Sequence, residues 1–150
     1  GGVSGRKEKV AAIGEKDVVV DFAHKPAGVE TIIREFKKLY GDITTVITIS
    51  SESGAEGDLE IFNKVLEFSK YIVPASSASQ KIASDKISEH PELKEKIMLN
   101  HVDDFVKKGT LGATFDEVRE GINQALKLDC NKVIAIGEAA TKFKKCVDNL

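Results

Sequence analysis

The chain has 150 residues, with 22 basic and 24 acidic side chains, a formal net charge of −2 and no tryptophan. This length suits one compact domain able to bury a core without disulfides or a structural metal. The near-balance of charge, with no basic run, excludes a nucleic-acid binder that works by neutralising phosphates. No apolar stretch is long enough to cross a bilayer, and the start does not read as a signal peptide.

Glu8 to Ile13 reads as a first strand, stopped at Gly14. Asp17 to Phe22 carries Val18-Val19-Val20, a continuous apolar run of the kind found in strands covered on both faces. Pro26 fits the first turn of a helix. Val29, Ile32, Ile33, Phe36 and Leu39 then recur at helical spacing, and Gly41 suits the helix end. Ile43 to Ser50 is rich in β-branched residues and predicts a strand. A small polar loop over residues 51–57 precedes a helix carrying Leu59, Ile61, Phe62, Val65, Leu66 and Phe68.

Tyr71-Ile72-Val73 is a short strand stopped by Pro74, followed by a second polar loop, Ala75 to Ser79, and a helix over Gln80 to Ser88. Ile97 to Val102 predicts a further strand. Thr114 and Glu117 have capping-box spacing and start a helix whose inner face is Val118, Ile122, Ala125 and Leu126. Lys132 to Ile136 is the last strand, Gly137 ends it, and a final helix covers Glu138 to Val147.

Strands alternating with helices predict a doubly wound, mostly parallel Rossmann-like α/β sheet with helices on both faces. Ligands of such sheets bind beyond the carboxyl ends of the strands. Those ends carry Asp21 to Lys25, Ser50 to Gly57, Pro74 to Ser79, His101 to Asp104 and Gly137 to Thr141.

The sharpest local feature is Asp21-Phe22-Ala23-His24-Lys25-Pro26, where an apolar strand delivers an acid, a histidine and a lysine to one corner. A carboxylate there can accept from ribose hydroxyls, a histidine can stack on a base or donate to phosphate, and a lysine adds charge. The same residues also suit a turn that only satisfies its own backbone. Arg6 offers a planar fork for phosphate, or is a solvated charge near the chain end. Ser51 and Ser53 lie in a loop able to wrap a ligand, although no P-loop lysine follows. Ser76 and Ser77 offer hydroxyls near a strand end, or cap the next helix.

No nucleophile–histidine–acid set is legible. His101 with Asp103 and Asp104 is too sparse to define a metal site, and Cys130 and Cys146 lack any paired-cysteine spacing. No metal site is expected in this chain, and reduced thiols point to a cytoplasmic setting.

Strand–Asp–aromatic–Ala–His–x–Pro followed by an amphipathic helix resembles the C-terminal domain of the Mur ligases, where the tripeptide-synthetase branch commonly reads Asp-Tyr-Ala-His-Thr-Pro. Gly5-Arg6-Lys7-Glu8 matches the Gly-Arg-x-Glu that opens this domain, and Asp129-x-x-Lys132-Val133-Ile134-Ala135-Ile136-Gly137 resembles its closing strand. The resemblance spans most of the chain, with its specific motifs in the N-terminal quarter.

It implies that residues 1–150 are one domain of a longer ATP-dependent ligase, which phosphorylates a carboxylate to an acyl phosphate and joins it to an amine. The likeness carries nucleotide contacts onto Arg6, Asp21, His24 and Lys25. Ser51, Ser53, Ser76 and Ser77 stand where the amino-acid or peptide substrate would be met. It implies ATP as cofactor, with magnesium held mainly by a central ATPase domain of the same polypeptide, and an isolated domain without catalytic residues or activity. Lys25 departs from the usual Thr or Asn, and Pro74 to Ser79 lacks the Asp-Asn-Pro-Arg of enzymes that add diaminopimelate. A divergent or archaeal member acting on pseudomurein peptides fits these departures. The alternative is a non-catalytic Rossmann-like module that binds another small ligand at the same corner.

Overall fold

A computed structural model describes residues 8–50, 52–99 and 113–149. Its elements in chain order are β1 (Glu8–Ile13), β2 (Lys16–Asp21), α1 (Pro26–Tyr40), β3 (Thr44–Thr48), α2 (Gly54–Phe68), β4 (Tyr71–Pro74), α3 (Ser77–Glu89), a short 3-10 turn (Pro91–Glu95), α4 (Phe115–Leu126), β5 (Lys132–Gly137) and α5 (Ala140–Asp148). The five strands form one sheet in the order β1-β2-β5-β3-β4. All neighbours are parallel except β1, which folds back antiparallel on β2 at the edge.

Side chains alternate across this sheet, as the two-residue period of a strand requires. Val18, Val20, Val46, Val73, Val133 and Ala135 join the core under α4 and α5, whose Val118, Ile122, Phe143 and Val147 complete it. Ile43, Ile47, Ile72, Ile134 and Ile136 face the opposite core, with Val29 and Ile33 of α1, Phe62 and Val65 of α2 and Ala83 of α3. The long apolar runs seen in the sequence therefore belong to strands buried on both faces. Gly121 lets α4 approach the sheet closely: a β-carbon there would meet Ala75 at 3.0 Å and Val46 at 3.2 Å.

Local signals set most boundaries. Pro26 opens α1, and Gly41, at φ 78°, closes it. Thr114 and Glu117 form the reciprocal capping box of α4, each backbone N–H reaching the other's side chain at 3.2 Å. Several expectations change: the loop expected over residues 51–57 is already helix from Gly54, and α5 starts at Ala140 rather than Glu138. Helix α3 starts at Ser77 rather than Gln80, because Ser76 caps it. Pro74 does not stop β4 but ends it, paired with Ile47, on an edge strand where a missing N–H is tolerated. The expected strand from Ile97 is, within the described residues, a single parallel bridge between Ile97 and Ile72; residues 100–102 lie outside them. No helix among the described residues is long and apolar enough to cross a membrane.

Candidate functional site

Topology fixes where a site can form. The loops after β2 and β3 lead to α1 and α2 on one face, while the loop after β5 leads to α5 on the other. Strand β5 lies between β2 and β3. The connections therefore diverge on both sides of β5, opening a crevice at the carboxyl ends of these three strands.

Asp21, the last residue of β2, is fully buried, and its Oδ1 accepts from the Ala23 N–H at 2.8 Å. That bond shapes the turn that projects the next residues. His24 is about three-quarters buried, its Nδ1 3.1 Å from the carbonyl oxygen of Phe22. Phe22 packs edge-on against its ring at 5.2 Å. Lys25 occupies the N-cap position of α1 and is exposed, with no side-chain bond to the helix end. Asp21, Phe22, His24, Lys25, Thr31 and Ile32 help to line a cavity of about 630 Å³. The acid, histidine and lysine read from the sequence thus share one ligand-sized space.

His24 also faces the neighbouring loops. Its Nε2 lies 3.4 Å from Glu52 Oε2, after β3, and 3.9 Å from Glu138 Oε1, after β5. The Ser50 hydroxyl, donating to Glu138, holds that carboxylate below the usual range against the opposing effect of burial, with contributions from Glu52 and His24. Behind Glu138, a space of about 230 Å³ is lined by Thr48, Ser50, Ala113, Thr141 and Lys142, and the Lys142 ammonium donates to the Ala113 carbonyl at 2.6 Å.

Ser53, Ser76 and Ser77 are not among the residues that line the cavity beside Asp21 and His24. Ser53 takes the N-cap position of α2 without a side-chain cap bond. Ser77 is the first residue of α3. Ser76 is fully buried: its hydroxyl donates to the Ile49 carbonyl at 2.7 Å and accepts from the Ile49 N–H at 3.0 Å. It fastens the end of β3 to α3, which is its capping role. Arg6, Ser51, His101, Asp103 and Asp104 lie outside the described residues. A further cavity of about 430 Å³, lined by Asp17, Phe36, Tyr40 and Lys132 among others, opens at the amino ends of β2 and β5, away from these loops. Glu52 and Glu138 went unselected in the sequence because each looks like a solvated loop acid until the strand order brings it to His24.

This is a doubly wound α/β domain with its polar loops converging at the carboxyl ends of the central strands. No protein-family model matches the chain, and no curated protein sequence does. Solved structures do match. A pseudomurein peptide ligase type C from Methanothermus fervidus aligns over 99% of this chain at 30% identity and a TM-score of 0.77. A murein peptide ligase from Psychrobacter arcticus aligns over 99% at 12% identity, with a TM-score of 0.65. The alignments cover 29% of each of those chains. A domain attributed to a UDP-N-acetylmuramate:L-alanyl-γ-D-glutamyl-meso-diaminopimelate ligase from Haemophilus ducreyi aligns over 96% of this chain and 98% of its own, at 18% identity and a TM-score of 0.58. The chain belongs to the Mur ligase family, and its fold is that of the family's C-terminal domain.

Proposed function

We propose that this chain is the C-terminal domain of a longer ATP-dependent ligase that activates a carboxylate as an acyl phosphate and joins it to an amine in cell-wall peptide synthesis. The observation that carries this reading is the convergence of Asp21, His24 and Lys25 on one cavity at the carboxyl end of β2. The 30% identity to a pseudomurein peptide ligase along almost the whole chain supports a pseudomurein-type peptide as the substrate class.

In this reading Asp21 orients the ribose, His24 sits against the nucleotide, and Lys25 and Arg6 supply positive charge to phosphate. The domain contributes by positioning and by charge stabilisation, which is what phosphoryl transfer asks of a protein. ATP is the cofactor, with magnesium held mainly by a central ATPase domain of the same cytoplasmic polypeptide. Ser51, Ser53 and Ser77 remain candidates for meeting the amino-acid or peptide substrate. Ser76 serves as a cap.

The test is steady-state kinetics of the full-length ligase. Asp21→Ala and His24→Ala should each raise the KM for ATP, with circular dichroism unchanged. Unaltered kinetics in both would remove this corner from the nucleotide site. ATP turnover by the 150-residue chain alone would contradict its role as a partial site.

A further inference from the structure

We propose that His24, Glu52 and Glu138 form a binding site for one zinc-like divalent metal ion. The three residues come from the loops after β2, β3 and β5, and one donor atom from each lies within 4.8 Å of the other two.

The imidazole geometry is the first argument. Nδ1 lies 3.1 Å from the Phe22 carbonyl oxygen, which can only accept, so this nitrogen carries the proton and donates. In the neutral ring Nε2 then holds a lone pair, and that lone pair faces Glu52 and Glu138 at 3.4 and 3.9 Å. In that form the lone pair repels the two carboxylates, which either a proton on Nε2 or a metal cation relieves. A cation between them turns all three groups into ligands, and a dication matches the two carboxylate charges.

The distances suit such an ion. Zinc bonds to nitrogen and oxygen of about 2.0–2.2 Å set tetrahedral ligands about 3.3–3.6 Å apart. The His24–Glu52 separation already matches, the His24–Glu138 separation exceeds it by a few tenths of an ångström, and all three donor atoms lie within 4.8 Å of one another. Supporting contacts are also in place. The Phe22 carbonyl fixes the His24 tautomer, and the Ser50 hydroxyl orients Glu138, as outer-shell groups do in metal sites. An imidazole with two carboxylates favours zinc, or a transition metal close to it. Magnesium and calcium prefer oxygen ligands alone. The remaining coordination would be open to an oxygen or nitrogen of a small ligand. The other described histidine, His90, has one exposed carboxylate near it, Glu92 at 3.7 Å, and serves as a control.

The inference does not rest on the nucleotide reading, because its test uses metal alone. The metal-stripped protein should bind one equivalent of Zn²⁺ saturably in equilibrium dialysis. His24→Ala and Glu138→Gln should each weaken binding at least about tenfold, the lower end of what loss of even an outer-shell partner costs. His90→Ala should leave it unchanged. On wild-type protein, zinc should move the nitrogen NMR signal of His24 Nε2 and leave that of His90 in place, which keeps the test valid if a variant misfolds. Zinc binding that is unsaturable, or equal in wild type and both site variants, or an unmoved His24 signal, would overturn the proposal.

Discussion

Gly137 lies so close to Thr48, its partner across the β3–β5 ladder, that a β-carbon on it would come within 3.0 Å of both the Oγ1 and the carbonyl oxygen of Thr48. Its φ of 137° is also one that L side chains rarely adopt. The next residue is Glu138, so this backbone position aims one member of the acid–histidine cluster. Gly137→Ala should destabilise the protein by about 3 kcal/mol, combining backbone strain with overpacking against main chain. Urea unfolding measures the loss. A midpoint equal to wild type would show that β3 and β5 separate more easily than their pairing indicates.

Ser76 tests the boundary between frame and site. Its hydroxyl holds both the N–H and the carbonyl of Ile49 and accepts from the Ser79 N–H at 3.3 Å. Ser76→Ala removes the cap and leaves buried backbone groups without a partner, so a loss of about 2 kcal/mol is expected by denaturant unfolding. A change in substrate KM with no change in stability would reverse this assignment and return Ser76 to substrate binding.

Much of the fold was legible because it rests on local signals. The apolar run at Val18 to Val20, the Pro26 helix start and the Thr114–Glu117 capping box all act within a few residues. The strand order was not legible, since inserting β5 between β2 and β3 depends on tertiary packing alone. The same division runs through the site. Asp21, His24 and Lys25 are adjacent in sequence and stood out as a group. Glu52 and Glu138 are far apart and reach His24 only through that strand order. Ser76 was ambiguous for a different reason, because a serine after a strand reads identically as a ligand contact and as a cap until its hydroxyl partners are known.

Cys146 gives a pH-dependent prediction. It is 9% exposed on the inner face of α5, and burial pushes its thiol pKa up, with the positive charge of Arg119 opposing weakly. A thiol raised in the folded state contributes stability that is complete below its unfolded pKa of about 8.5 and is lost as pH rises through the folded value. Between about pH 8 and 10 the urea midpoint of wild type should fall more than that of Cys146→Ala. Parallel decline in the two proteins would assign the alkaline loss to other groups. Alkylation of Cys146 at neutral pH should also be slow until urea exposes it.

Lys25 should separate stability from binding. At the N-cap of α1 it makes no side-chain bond to the helix, and its positive charge sits at the end where the helix dipole is also positive. Thr is a better cap there, so Lys25→Thr should stabilise the protein by about 1 kcal/mol in urea unfolding. Lys25 also lines the cavity shared with Asp21 and His24. If its charge serves a phosphate, the same substitution should raise the KM for ATP of the full-length ligase severalfold, giving a protein that is more stable and less saturated with nucleotide. A stabilised enzyme with an unchanged KM would show that Lys25 stands beside the nucleotide without touching it. A destabilised one would mean that its aliphatic stem packs on the cavity wall more than its exposure suggests.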